Sequence, residues 1–167
     1  MLTTISDYTG YFSLPKNIYT NDELQAYIDR FEEKALRMLL QCEYDNFEAD
    51  LLNGLPQTQK WIDVYYPFYK CDDCGYEYES LGLIDLIKSF VFYNYSIESN
   101  TTNTILGTVK QRGLASDVVG SQFTRNYIVY NQFVHSFNGI MYEMVESTEE
   151  YDLSYKYLEI ITNFSWC

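Results

Sequence analysis

The stretch from Leu81 to Glu146 constrains this chain most. It opens with a helical run to about Ser99, in which Leu83, Ile84, Ile87, Phe90, Val91 and Tyr95 recur three and four apart, the spacing of one helix face. Phe92 and Tyr93 lie off that stripe. The helix is therefore apolar around much of its circumference and needs cover on more than one side. A polar turn, Ser99-Asn100-Thr101-Thr102-Asn103, leads into Thr104-Ile105-Leu106-Gly107-Thr108-Val109, and residues 104–112 read as a short hairpin. A second helical run extends from about Ser121 to Glu146, with Phe123, Tyr127, Tyr130, Phe133, Phe137, Ile140 and Met144 on one face; Ser116 or Ser121 is placed to cap it.

Upstream, Thr20-Asn21-Asp22-Glu23 is a capping box, in which the threonine side chain and the glutamate can each satisfy the other's amide. Leu24, Tyr27, Ile28, Phe31, Ala35, Met38 and Leu39 then mark one helix face. Tyr44, Phe47 and Leu51 continue into a shorter helix that the sequence ends at Asn53-Gly54, and Pro56 blocks its extension. Residues 55–80 read as irregular. Trp61 to Pro67 fits either an edge strand or a short helix, and the acidic, tyrosine-rich Cys71–Ser80 reads as a loop. Residues 1–19, with Gly10, Pro15, Tyr8, Tyr11 and Tyr19, read as an extended arm, too aromatic for a disordered tail and suited to lie on a neighbouring surface. Residues 151–163 form a last element, better suited to helix than to strand.

The expectation is a mainly α fold in one domain, 1–167. It is a bundle of four to five helices with a protruding loop or short β-hairpin between the two longest. The order is an arm (1–19), a helical pair (20–53), an irregular region (55–80), a helix–hairpin–helix (81–146) and the C-terminal element.

Charge narrows the partners. Eleven basic against 24 acidic residues give a net charge of −13, the wrong sign for gripping phosphates. Two uses remain: an acidic surface that favours solubility, or an acidic wall past which DNA slides without sticking. No apolar run is long enough to span a bilayer, so no membrane partner is expected. The first residues lack a basic stretch followed by an apolar one, which reads against a signal peptide and towards a cytosol-like compartment. The 18 Tyr, 10 Phe and 2 Trp exceed what one small core needs and point to contacts with other subunits, the alternative being an unusually aromatic core.

Chemistry is sparse. Cys71-Asp72-Asp73-Cys74-Gly75 has the spacing of half a zinc knuckle. Of the possible further ligands, Cys42, His135 and Cys167, no two make a second close pair, so Cys71 and Cys74 are a weak metal candidate, a redox dithiol, for which no helix N-terminus beside a sheet is evident, or two surface thiols. His135 is the single histidine and has no nucleophile or acid at a recognisable spacing. Glu32-Glu33, Asp45 with Glu48, and Glu143 with Glu146 are carboxylate pairs, which on helix faces are usually solvated. Gly107 reads as turn punctuation, since no phosphate-cradling glycine pattern surrounds it. No catalytic residue and no cofactor is expected.

These residues together resemble the small head-to-tail connector (adaptor, or neck) proteins of tailed bacteriophages, especially crAss-like phages of Bacteroidetes. The resemblance runs from about Asn21 to Tyr142. It is carried by Leu24, Tyr27-Ile28, Phe31-Glu32, Leu36 with Leu39-Leu40, Tyr44, Phe47 and Asp50-Leu51, then Gly82 and Phe90-Val91-Phe92-Tyr93. Its most telling part is Thr104, Gly107 and Val109 with a later Ser116 and Tyr130-Asn131. Where the family often has Leu-Leu-Gly, this chain has Leu39-Leu40-Gln41; the Cys71–Cys74 segment is foreign to the pattern, and residues after Glu146 lie outside it.

The resemblance implies a ring, usually dodecameric, between the portal protein and the next neck or tail ring. Packaged DNA passes through its lumen without specific binding. It implies a virion protein made in the host bacterial cytoplasm. A closed ring needs two different adhesive faces per subunit, and the aromatic helix at Phe92 and Tyr93, the arm at Tyr8 and Tyr11, and the Thr104–Val109 turn are the expected contacts. Two other readings stand beside it: an acidic binding module or DNA mimic that inhibits a basic partner protein, and a zinc protein built on Cys71 and Cys74.

Overall fold

The computed structural model describes residues 1–14, 20–99, 101–104, 107–110 and 116–146, with side chains for 1–14, 20–98 and 125–145. Among these, five α-helices and three antiparallel two-stranded hairpins form a mainly α fold.

Helix α1 (Asn21–Leu40) starts at the capping box: the Glu23 amide donates to Thr20 Oγ1 at 3.3 Å, and the Thr20 amide to Glu23 Oε2 at 2.8 Å. It ends abruptly at Gln41, whose φ of +51° and ψ of −121° no helix accommodates. One 3-10 turn (Gln41–Glu43) redirects the chain into α2 (Tyr44–Asp50). The expected end of this second helix at Asn53-Gly54 is corrected. Asn53 and Gly54 both take positive φ, at 53° and 79°, and form the turn of a hairpin between β1 (Leu51–Leu52) and β2 (Leu55–Pro56). Asp50 closes its base by accepting the amides of Gln57 and Thr58.

Residues 55–80, expected to be irregular, are also corrected. Trp61 and Val64 are the buried face of helix α3 (Gln59–Tyr65). The Cys71–Ser80 loop is half of a hairpin, β3 (Phe68–Cys71) against β4 (Glu77–Ser80), in register from Phe68 opposite Ser80 to Cys71 opposite Glu77.

Helix α4 (Leu83–Ser99), β5 (Thr101–Thr104), β6 (Gly107–Lys110) and helix α5 (Ser116–Glu146) complete the chain. A hairpin joins α4 and α5 as expected, but it starts at Thr101 rather than 104: Thr101, Thr102 and Asn103, read as part of a polar turn, pair with Lys110, Val109 and Thr108. Helix α1, at 20 residues, is longer than α4, at 17, so the joined helices are not the two longest. Helix α5 starts at Ser116, five residues before the expected Ser121. The 151–163 element and Cys167 lie outside the described residues.

Helix α4 is the centre of the core. Leu83, Leu86, Ile87, Val91 and Tyr95 are essentially inaccessible to solvent, because α1 covers one side and α5 another. An aromatic chain crosses the three helices. Tyr27 stacks on Phe31 (centroids 4.5 Å apart) and meets Tyr95 edge-on at 5.6 Å; Phe31 meets Phe90, and Phe90 meets Phe133 at 5.0 Å. Each such pair adds about 0.5–1.5 kcal/mol beyond area burial.

Candidate functional site

The α4–α5 pairing fixes the geometry of the turn that sequence singled out. Tyr93 lies against Tyr130 at 4.8 Å and Phe90 against Phe133 at 5.0 Å, so each step forward on α4 matches a step back on α5. Carried to the end of α4 at Ser99, this register leaves the first turns of α5, from Ser116, running on past it. That overshoot of about eight residues is roughly 12 Å at 1.5 Å per residue. The β5–β6 hairpin connects the helices at this end. Thr104 pairs with Gly107, and Val109 with Thr102. Ile105, Leu106 and residues 111–115 lie outside the described residues.

The other expected contacts distribute differently. Tyr8 (5% exposed) and Phe92 (5%) belong to the chain's own core, which corrects their reading as contacts for a neighbour. Burial also holds the Tyr8 phenol far above its ordinary pKa. The residue 1–14 segment, read as an extended arm, is correspondingly folded onto its own chain. It makes two 3-10 turns (Ile5–Asp7 and Gly10–Phe12) against its own helices. Phe12 packs on Phe92 at 6.5 Å. The Arg125 guanidinium donates to the carbonyls of Gly10 and Tyr11 and sits 4.5 Å from the Phe92 ring centroid and 5.1 Å from that of Tyr11. Tyr93 is half-buried on Tyr130, and Tyr11 stays exposed. The two sides of α4 are thus filled by α1 and α5 of the same chain. The aromatic surplus goes largely into an aromatic core.

Sequence reasoning missed the residue that fastens this segment. Glu32, in α1, is 1% exposed. Its Oε1 accepts the Leu2 amide at 2.6 Å, and its Oε2 accepts the Thr3 amide at 2.9 Å and the Thr3 hydroxyl at 2.7 Å. Nothing in Phe31-Glu32-Glu33 distinguishes this acid from its neighbour Glu33, which pairs with Arg37 on the exposed face.

A second polar cluster ties the β3–β4 hairpin to α5. Glu143 accepts Lys70 Nζ at 2.7 Å and the Tyr78 hydroxyl at 2.9 Å. Ser136 Oγ accepts the Leu81 amide at 3.0 Å. Asp72 accepts the Tyr142 hydroxyl at 2.5 Å and the amides of Cys74 and Tyr76 at 2.9 and 2.7 Å. These bonds, the Tyr142 hydroxyl foremost, hold the Asp72 carboxyl below the usual carboxylate range. Gly139 makes the approach possible: a Cβ there would fall 2.0 Å from the Glu79 carbonyl oxygen.

Cys71 and Cys74 are exposed free thiols at this hairpin's end, and among the described residues no three His, Cys, Asp or Glu side chains group to hold a metal. His135 is exposed on α5. Of the carboxylate pairs, Glu32 and Glu143 are structural anchors, and Asp45 and Glu48 face solvent. Glu32, Glu33 and Glu48 line one open cavity with Met1, Arg37 and Tyr44, but both Glu32 oxygens there are taken up by Leu2 and Thr3, and Glu33 pairs with Arg37. Among the described residues no helix is long and apolar enough to cross a membrane. No family model, curated protein or solved structure matches the chain.

Proposed function

We propose that this chain is a structural virion protein: a ring-forming adaptor of the phage neck that links the portal to the tail and extends the DNA channel. The observation that carries this reading is the protrusion at one end of the α4–α5 pair, where α5 overruns α4 and a polar hairpin crosses between them. A polar tongue on a rigid two-helix base, away from the packed end, suits engagement of an adjoining ring. Gln41 adds support. It takes a φ of +51° at the position where the family resemblance places glycine, a conformation that glycine adopts at little cost. The net charge of −13, multiplied around a ring, gives a lumen that repels DNA phosphates rather than binding them. The role is assembly, not catalysis, with a homo-oligomeric ring, the portal protein and the next neck or tail ring as partners.

The test is whether a reading frame beside that of this chain encodes a portal protein, and then co-assembly of the two followed by electron microscopy. The full chain is expected to stack on the portal as a closed ring. A variant with Thr101–Lys110 replaced by a short Gly-Ser linker is expected to keep its helical circular dichroism and fail to join. Normal incorporation of that variant would refute the role given to the hairpin. A monomer that instead binds a basic DNA-handling enzyme tightly would favour the acidic-module reading.

A further inference from the structure

We propose that Cys71 and Cys74 are half of a tetrahedral zinc site that a second copy of this chain completes. The inference is independent of the neck reading and rests on the tip of the β3–β4 hairpin. Cys71 is the last residue of β3, and Cys74 lies in the turn. Two cysteines separated by two residues can place both thiolates on one ion, and soft thiolates favour zinc over hard cations.

The turn is built rather than loose. The Gly75 amide donates to the Asp72 carbonyl at 3.0 Å, and the Asp72 amide to the Tyr76 carbonyl at 3.0 Å. Gly75 takes a φ of +83°. This is a tight turn followed by a glycine bulge, the form that reverses a strand directly after Cys71. The Asp72 side chain locks it by accepting the Cys74 and Tyr76 amides, and Tyr142 of α5 anchors Asp72 in turn. The pair is therefore held by a braced backbone, at the exposed end of the hairpin, with both thiols accessible.

One copy supplies two ligands, and a structural zinc site takes four. Among the described residues no third metal-ligating side chain joins the pair. The same two thiols of a copy related by a twofold axis supply the missing half, because a twofold contact brings identical surfaces together. Binding releases the thiol protons to solvent and changes no oxidation state.

The experiment uses the full chain, purified without chelator under reducing conditions, with zinc added back. Zinc is counted by elemental analysis and the assembly is weighed by native mass spectrometry. One zinc per two chains is expected, in a species lost on chelation. Cobalt in place of zinc should give the spectrum of a tetrahedral four-thiolate site. Cys71→Ser and Cys74→Ser should each abolish metal binding with circular dichroism unchanged, since both side chains are exposed; Cys42→Ser and Cys167→Ser should leave it intact. Fully reduced protein that holds no more zinc than the Cys71→Ser/Cys74→Ser double variant would overturn the site. One zinc per single chain, or loss of binding in Cys167→Ser, would overturn its completion by a second copy.

Discussion

Gly139→Ala sets two well-known effects against each other. Glycine inside a helix costs about 1 kcal/mol relative to alanine, so at an open helical site this change stabilises. At position 139 the new Cβ would lie 2.0 Å from the Glu79 carbonyl oxygen and 2.8 Å from its carbonyl carbon. Ordinary non-bonded contacts sit at about 3.5 Å, so α5 must retreat from β4 by roughly 1 Å or more. The clash is with backbone and cannot be relieved by turning a side chain. Overpacking of this kind costs about 1–3 kcal/mol. The retreat also stretches the Leu81–Ser136, Tyr78–Glu143 and Lys70–Glu143 bonds, worth about 1 kcal/mol each when well made. After the propensity gain, the net expectation is a loss of about 3 kcal/mol, roughly 6–12 °C in Tm for a chain of this size. Urea and thermal unfolding followed by circular dichroism measure it. Amide exchange should quicken at Leu81 while the α1 core stays protected. A variant as stable as the parent, or more so, would mean that helix propensity wins and that α5 is not seated on β4.

Glu32→Gln replaces an acceptor facing three donors with an amide whose NH2 must confront one of them; the cost is about 1–3 kcal/mol, read as faster exchange at Leu2 and Thr3 and earlier proteolysis of residues 1–14. Gln41→Gly relieves a φ/ψ pair that glycine tolerates and other residues hold at a cost of about 1–3 kcal/mol; a gain in urea stability of about 1 kcal/mol is expected, and no gain would show the turn unstrained. The carboxyl of Asp72 is depressed in the folded protein, so its contribution is fully present above the unfolded value near 3.8 and disappears as pH falls through the lower folded value. The protection of the Cys74 and Tyr76 amides, relative to their intrinsic exchange rates, should therefore fall only below about pH 4, and Asp72→Asn should make that protection insensitive to acid.

The parts of this fold legible in the sequence are those whose causes are local. The Thr20–Glu23 box starts α1 because both of its hydrogen bonds close within four residues. The apolar stripes of α1, α4 and α5 are visible because each helix buries its own periodic face. The β3–β4 hairpin was hidden for the opposite reason. Its inward positions, Phe68, Lys70, Tyr78 and Ser80, are half polar, since what they meet on α5 includes the carboxylate of Glu143, more than 60 residues away. Alternation of apolar and polar residues, the usual strand signal, is erased when a strand packs on a polar cluster. For the same reason nothing local marks Gly139 as necessary: what its missing Cβ must clear is the Glu79 carbonyl. The same blindness affected Phe92 and Tyr93. Sequence shows that α4 needs cover on several sides but not whose residues supply it.

That distinction changes where adhesive surface has to be sought. Tyr8, Tyr27, Phe31, Phe92 and Tyr95 face their own chain, so the aromatic count does not measure interface. What remains outside is unevenly placed. Helix α5 has one end bound to the β3–β4 hairpin through Gly139, Tyr142 and Glu143, and the other overrunning α4 towards the β5–β6 hairpin. The bound end carries the exposed Tyr69 and Tyr76 and the paired thiols; the overrunning end carries the polar tongue. A subunit in a closed ring stacked between two others needs lateral faces and two distinct axial ones. With the flanks of α4 occupied internally, the overrunning end of α5 would be the natural axial surface of the proposed ring. Lateral contact in the proposed ring would then fall to smaller apolar features such as the Leu52 and Leu55 tip of the β1–β2 hairpin, where both side chains stand exposed beside a tight turn. Replacing Leu52 and Leu55 with serine removes apolar contact without touching the core, so it should weaken ring closure while leaving the folded subunit unchanged.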